Sequence, residues 1–398
     1  MLQLAYANLK EHFLSTILSV MLLGIGVGMV SFIVTVSEQL NDRFNRDIRG
    51  IDMVVGAKGS PLQLILSAVY QIDNPTGNIP LAEVNKLKRH PLIKYSIPLS
   101  YGDSYQGFRI VGTDSLYLSH YKATFSEGGV WSNSMNVVLG SSVAKKLNLK
   151  MGSHFHGNHG FDEGGHAHEE SHYNVVGILN PTGTVADRLI LTSTESVWDI
   201  HNNEEAEREQ DNEEEEETGE ITALLVKFKS PMGIMQIPRM VNQKTSMQAA
   251  LPAIEINRLY SLMGVGFTTL QIIGMVIMCI AALSVFISLL NSLKERKYEL
   301  ALMRSLGASP FKLFGLIVQE SLLLCLAGYA LGIILGRVGI MLFSYLGEDQ
   351  FQFSVSQSGV SPIEIWLMPL TLWIGLIAAL IPAIRAYRSD ISSILRNE

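Results

Sequence analysis

The sequence predicts an α-helical membrane protein, with four transmembrane helices and a large mixed α/β extracytoplasmic domain between helices 1 and 2. Three observations carry this. Hydrophobic residues make up 47% of the 398-residue chain and charged residues only 17%, below the roughly 25% of a soluble domain. The deficit is concentrated in four apolar runs, at 14–36, 259–293, 313–346 and 365–384. Between the first two runs, residues 37–258 have the composition of an ordinary soluble protein.

Residues 1–13 read as an N-terminal cytoplasmic amphipathic segment. Residues 14–36 carry no charge, and at about 1.5 Å per residue they reach across the ~30 Å hydrocarbon layer. A cleaved signal peptide would have a shorter apolar core and a small-residue cleavage site. Polar Ser37-Glu38-Gln39 follows directly, so a retained helix is expected. The second run, between Arg258 and Lys294, is longer than a bilayer needs, so it is expected to begin as a helix outside the membrane. Its expected partner there is the stalk after helix 1, where Leu40, Phe44 and Ile48 recur every four residues. The third run starts after Lys312 and weakens beyond Arg337 towards residue 346; the fourth lies between Glu364 and Arg385. Gly24 and Gly28, and Gly328, Gly332 and Gly336, have the spacing that lets helix backbones approach closely. Packing within one chain and a dimer face are equally open readings.

Short loops set the orientation. Lys294, Arg296, Lys297, Arg304 and Lys312 cluster in the 294–312 connection, and Arg385, Arg388 and Arg396 follow helix four in the 385–398 tail. The 347–364 connection is acidic, with Glu348, Asp349 and Glu364. The positive-inside rule then expects both termini and residues 294–312 in the cytoplasm. The formal charge of −7 argues against nucleic acid as a partner. Cys279 and Cys325 fall in apolar runs, so no disulfide scaffold is expected.

Within 37–258, strand-like pieces at 95–99, 106–112, 136–139, 173–179, 188–192 and 222–228 alternate with helix-like pieces at 62–70, 81–89, 141–147 and 232–243. Two inserts interrupt them. Residues 202–220 hold ten Glu and one Asp, a run expected to be solvated and without fixed structure. Residues 153–172 are rich in His and Gly.

The segment ERKYELALMRSLGAS, Glu295 to Ser309, is the most specific feature of the chain. With the tail IPAIRAYRSDISSILR, Ile381 to Arg396, it resembles FtsX-like and MacB-like permeases, ABC transporter subunits related to the lipoprotein-releasing class. Val137 to Phe155, Tyr173 to Leu191 and Gly50 to Pro61 match that family's outer domain more loosely. The resemblance implies a non-catalytic permease of the bacterial inner membrane. It would work as a homodimer, or as a pseudo-dimer with a related permease, beside a separate cytoplasmic ABC ATPase that binds the ATP. It also implies mechanotransmission: ATP-driven motion passes to the periplasmic domain, while substrate does not cross through the helices. Residues Glu295, Arg296, Lys297, Glu299, Leu300, Met303, Arg304, Leu306 and Gly307 would form the coupling helix seated on the ATPase.

The residues themselves support docking. Glu295 and Glu299 lie one turn apart, and Leu300, Met303 and Leu306 give an expected apolar edge. Such a helix fits a partner's groove, or rests on membrane lipid with its cations towards headgroups. The chain has no G-x-x-x-x-G-K-[ST] phosphate loop, so it requires a partner motor.

His154, His156, His159, His166, His168 and His172 crowd the first insert, with Asp162, Glu163, Glu169 and Glu170 between them. Imidazole with carboxylate suits Zn²⁺ or another divalent metal. Low-specificity binding, a defined functional site and an unliganded solvated loop stay open. His168-Glu169-Glu170-Ser171-His172 fits H-E-x-x-H, but that metalloprotease chemistry needs a helix, and Gly164-Gly165 before it with a β-like run after it leave no room for one. Two functions remain in play: transport by efflux, extraction or delivery of a substrate, metal-linked in one version, or regulation of a periplasmic partner such as a cell-wall hydrolase. The size of the outer domain favours transport.

Overall fold

The computed structural model describes residues 2–159, 167–200, 219–350 and 362–388. Two compact units emerge, a helical unit (1–41 and 262–398) and an α/β unit (42–261).

The helices of the first unit are α1 (Leu2–Glu11), α2 (Phe13–Asp47) and, after the α/β unit, α9 (Pro252–Glu295), α10 (Lys297–Ser305), α11 (Pro310–Gln350) and α12 (Pro362–Tyr387). Among the described residues, four are long and apolar enough to cross a membrane: Phe13–Asp47, Pro252–Glu295, Pro310–Tyr345 and Pro362–Tyr387. The second apolar run belongs to a single 44-residue helix, α9, and the first to a 35-residue helix, α2. The residue ranges of both helices include residues of both units.

The spaced glycines pack within one chain. A Cβ on Gly28 would come within 2.9 Å of the Gly332 carbonyl oxygen, and one on Gly332 within 2.6 Å of Val27. Gly24 meets Leu331 and Gly336 meets the Gly28 carbonyl in the same way, so α2 and α11 touch backbone to backbone. This resolves the two readings of the glycine spacing in favour of packing inside the chain. A second core joins Ala5 of α1, Leu289 of α9, Leu300 of α10, Leu313 and Leu316 of α11, and Ala379 and Ala383 of α12.

The α/β unit comprises β1 (Met53–Ala57), α3 (Pro61–Ala68), β2 (Ile79–Pro80), α4 (Leu81–Lys88), β3 (Ile93–Tyr105), β4 (Phe108–Thr113), α5 (Ser115–His120), β5 (Phe125–Gly128), β6 (Asn136–Leu139), α6 (Ser141–Leu147), β7 (His154–His159), β8 (Ala167–Leu179) and β9 (Ile190–Ser193). A helix α7 over 194–200, then β10 (Glu220–Ile221), β11 (Ala223–Phe228), α8 (Met232–Lys244) and β12 (Met247–Ala250), complete it. One mixed sheet runs β12-β1-β11-β3-β4-β9-β6-β8-β5, with β7 pairing β3 and β8. Strand β4 is parallel to β9, and β6 to β8; the other pairs are antiparallel. One core lies under α4 and α8, around Val55, Val84, Leu224, Val226 and Ile237. The other gathers Ile110, Leu139, Val143, Tyr173 and Ile190.

The end of α2 is tied into this unit. Phe44 meets the Tyr70 ring at 4.8 Å, and the Tyr70 hydroxyl donates to the Phe44 carbonyl at 3.1 Å. The Tyr121 hydroxyl donates to the Asp47 carbonyl at 3.2 Å, and the Val185 amide to Asp47 Oδ1 at 3.0 Å. Burial pushes the Tyr117 and Tyr121 hydroxyls well above the ordinary phenol value.

Candidate functional site at the 294–312 connection

Arg296 interrupts the helical path between α9 and α10, with φ −104° and ψ 19°. Its side chain turns inward and is only 7% exposed. Nη1 lies 3.2 Å from Glu320 Oε1 on α11, and Nε lies 3.1 Å from Glu299 Oε2. Glu320 is 3% exposed and also accepts a hydrogen bond from Asn8 Nδ2 on α1. His12 reaches the end of α9 from its Nδ1 to Glu295 Oε2 at 3.2 Å. One buried node therefore fastens α1, the α9–α10 corner and α11. Within an apolar bundle, such charges are tolerated because each answers another.

The other end of α10 closes by a glycine cap. The Gly307 amide donates to Arg304 O and the Ala308 amide to Met303 O, both at 3.0 Å. This paired pattern requires a left-handed residue after the helix, and Gly307 supplies it at φ +95°. Pro310 then opens α11, at a first-turn position where its missing N–H costs nothing.

Of the expected residues, Lys297, Glu299, Leu306 and Gly307 are exposed, as is Glu295 at the end of α9. Met303 and Arg304 are half-buried, and Arg296 and Leu300 are buried. The expected apolar edge of Leu300, Met303 and Leu306 is thus split: Leu300 and Met303 belong to the bundle's own core. The apolar row left open is Tyr298, Leu302 and Leu306, at 49%, 45% and 80% exposure. Sequence reasoning missed this row, although its four-residue spacing is visible. It also passed over Glu320, a lone carboxylate inside the third apolar run, which by itself marks a site in a membrane helix.

The histidine tract is not a loop where it is described; its two ends lie in β7 and β8. His156 faces His172 across the strands, with ring centroids 4.2 Å apart. Phe155 and Tyr173 stack on the opposite, buried face at 5.6 Å. His154 and His172 are exposed and His156 half-exposed. His159 and His168 fall in the strands, while His166 lies outside the described residues, as does 202–218 of the acidic insert. Among the described residues, no group of three or more His, Cys, Asp or Glu is placed to hold a metal ion. Residues 167–179 form a strand, not the helix that H-E-x-x-H chemistry needs.

Residues 16–239 match the MacB-like periplasmic core domain family, and residues 271–391 the FtsX-like permease C-terminal family. No curated protein matches the chain. Among solved structures, the periplasmic region of MacB from Actinobacillus actinomycetemcomitans is similar, at 12% identity and a TM-score of 0.35 over 54% of this chain and 95% of that one. With both family matches falling on the two units described above, the chain belongs to the MacB- and FtsX-like permeases, the membrane subunits of ABC transporters.

Proposed function

We propose that this permease carries ATP-driven motion from a separate ATPase, docked on residues 297–307, to its periplasmic unit, for efflux, extraction or delivery of a substrate. The supporting observation is that α9 is a single 44-residue helix: it begins at Pro252, within the residues of the α/β unit, and ends at Glu295, directly before Arg296 and α10. The row Tyr298, Leu302 and Leu306 offers the partner an apolar contact, and Lys297 and Glu299 flank it with charge. The fastened Arg296–Glu320 corner lets a push on α10 move α9 and α11 instead of being absorbed locally. In this reading the termini and the 294–312 connection lie in the cytoplasm, the orientation that the positive-inside rule favours.

The test is association with the cognate ATPase. A Leu302→Asp, Leu306→Asp variant is expected to keep its fold, because both side chains are exposed, and to lose ATPase binding by at least about tenfold, as apolar contacts at an interface centre do. Undiminished binding would refute the docking surface.

A metal-linked version of the cycle rests on the His156–His172 pair alone. Two imidazoles facing across strands make a bidentate grip for Zn²⁺. Calorimetry of the full chain should show zinc binding that weakens in His156→Ala, His172→Ala; binding unchanged by that pair of substitutions, or none, would remove zinc from the account.

A further inference from the structure

A cavity of about 290 Å³ opens beside the same connection, between the ends of α9, α10 and α12. Its floor is apolar, formed by Leu290, Leu293 and Leu300, and its rim carries Lys294, Lys297 and Arg385. Among the described residues, no acidic side chain lines it and none of the three cations has an ion-pair partner. We propose that this cavity binds one anionic phospholipid, its phosphate held by the three cations and its first acyl methylenes on the leucine floor.

Position favours a lipid over a protein side chain. Lys294 directly follows the apolar run 259–293, and Arg385 directly follows 365–384, so both stand at headgroup depth. One or two turns back along the same faces, Ile287 of α9 and Ile381 of α12 are 54% and 52% exposed. An acyl chain leaving the cavity would therefore run along apolar surface into the hydrocarbon layer. Lys294 also lies in the last turn of the long helix α9, where the helix dipole favours cations. Three cations with no acid among them call for net negative charge, which phosphatidylglycerol has and phosphatidylcholine lacks. Basic pockets between membrane helices are a recognised solution for anionic headgroups.

The inference rests on the chain spanning a bilayer and not on the ATPase docking, and its test reads lipid directly. The purified full-length chain is exchanged into detergent carrying equal phosphatidylglycerol and phosphatidylcholine, and retained lipid is counted by native mass spectrometry. Wild type should retain phosphatidylglycerol preferentially. Lys294→Gln, Arg385→Gln should lose that preference by roughly thirtyfold, the effect of two headgroup-depth cations. Lys294→Arg, Arg385→Lys should keep it, and so should Lys10→Gln, Lys312→Gln, which removes two exposed cations elsewhere. Equal retention of the two lipids by wild type, or equal loss in the Lys10 and Lys312 variant, overturns the proposal. So does loss in the charge-conserving variant. If Lys294→Gln, Arg385→Gln keeps its lipid preference but sheds the ATPase, the cavity receives a protein partner and the lipid assignment fails.

Discussion

The helical unit and the α/β unit bury polar side chains in different ways. In the helical unit, buried charges answer other charges: Arg296 meets Glu320, and the buried Glu364 meets the exposed Arg337 at 3.1 Å. In the α/β unit, buried polar groups turn mostly to the backbone. Arg109 donates to the Asp73 carbonyl at 2.9 Å, Tyr121 to the Asp47 carbonyl at 3.2 Å, and Asp187 accepts from the Thr182 and Gly183 amides at 2.8 and 2.7 Å. The reason is topological. A membrane helix spends its amides on itself, so a buried side chain there meets another side chain or shares a carbonyl already engaged in a helix, as Ser321 Oγ does with the Gly375 carbonyl at 2.7 Å. Turns and strand ends in the α/β unit leave backbone groups open, and side chains satisfy them. One unit therefore depends on a few pairs, and the other spreads its polar contacts over many.

The largest expected effect comes from breaking the sealed pair. Glu320→Ala leaves Arg296 in the bundle with only Glu299 for compensation, and should cost about 3–5 kcal/mol in SDS-titrated unfolding. An apolar pair, Arg296→Met with Glu320→Leu, should recover most of that loss; if the double variant is as weak as the single, the ion pair is not what holds the corner. Arg337→Gln should cost less, about 1–2 kcal/mol in the same titration, because the Arg337 side chain is 46% exposed and Glu364 keeps its Ser31 contact at 3.5 Å. A loss as large as that of Glu320→Ala would contradict the contrast between a sealed and an open pair. The smallest effect is expected in the α/β unit. Tyr121→Phe removes one bond to a backbone carbonyl and should cost about 1 kcal/mol, read as thermal unfolding of the full chain followed by hydrogen exchange in β3 and β4.

The same contrast explains what was readable from the sequence. Apolar length announced four helices and the overlong α9, because hydrocarbon thickness acts on every residue of a span. Apolar and turn patterning announced β6, α6 and the second half of β8. The strand pairing of the histidine tract was hidden: Phe155 and Tyr173 alternate with histidines, but the glycines and charges between them read as an insert. The inward face of α10 was hidden too. Leu300 with Met303 and Tyr298 with Leu302 are both helical spacings, and only contact with α11 and α12 decides which one is core. The Arg296–Glu320 pair joins residues 24 positions apart, a separation that no local pattern encodes.

The central claim is that motion passes from α10 to the periplasmic unit. The direct measurement is the distance between spin labels on the periplasmic units of a reconstituted complex with its ATPase, in the ATP-trapped and ADP states. The account predicts a shift in the distance distribution for wild type that vanishes in Leu302→Asp, Leu306→Asp. The same distribution in both nucleotide states of wild type, or an equal shift in the variant, would contradict it.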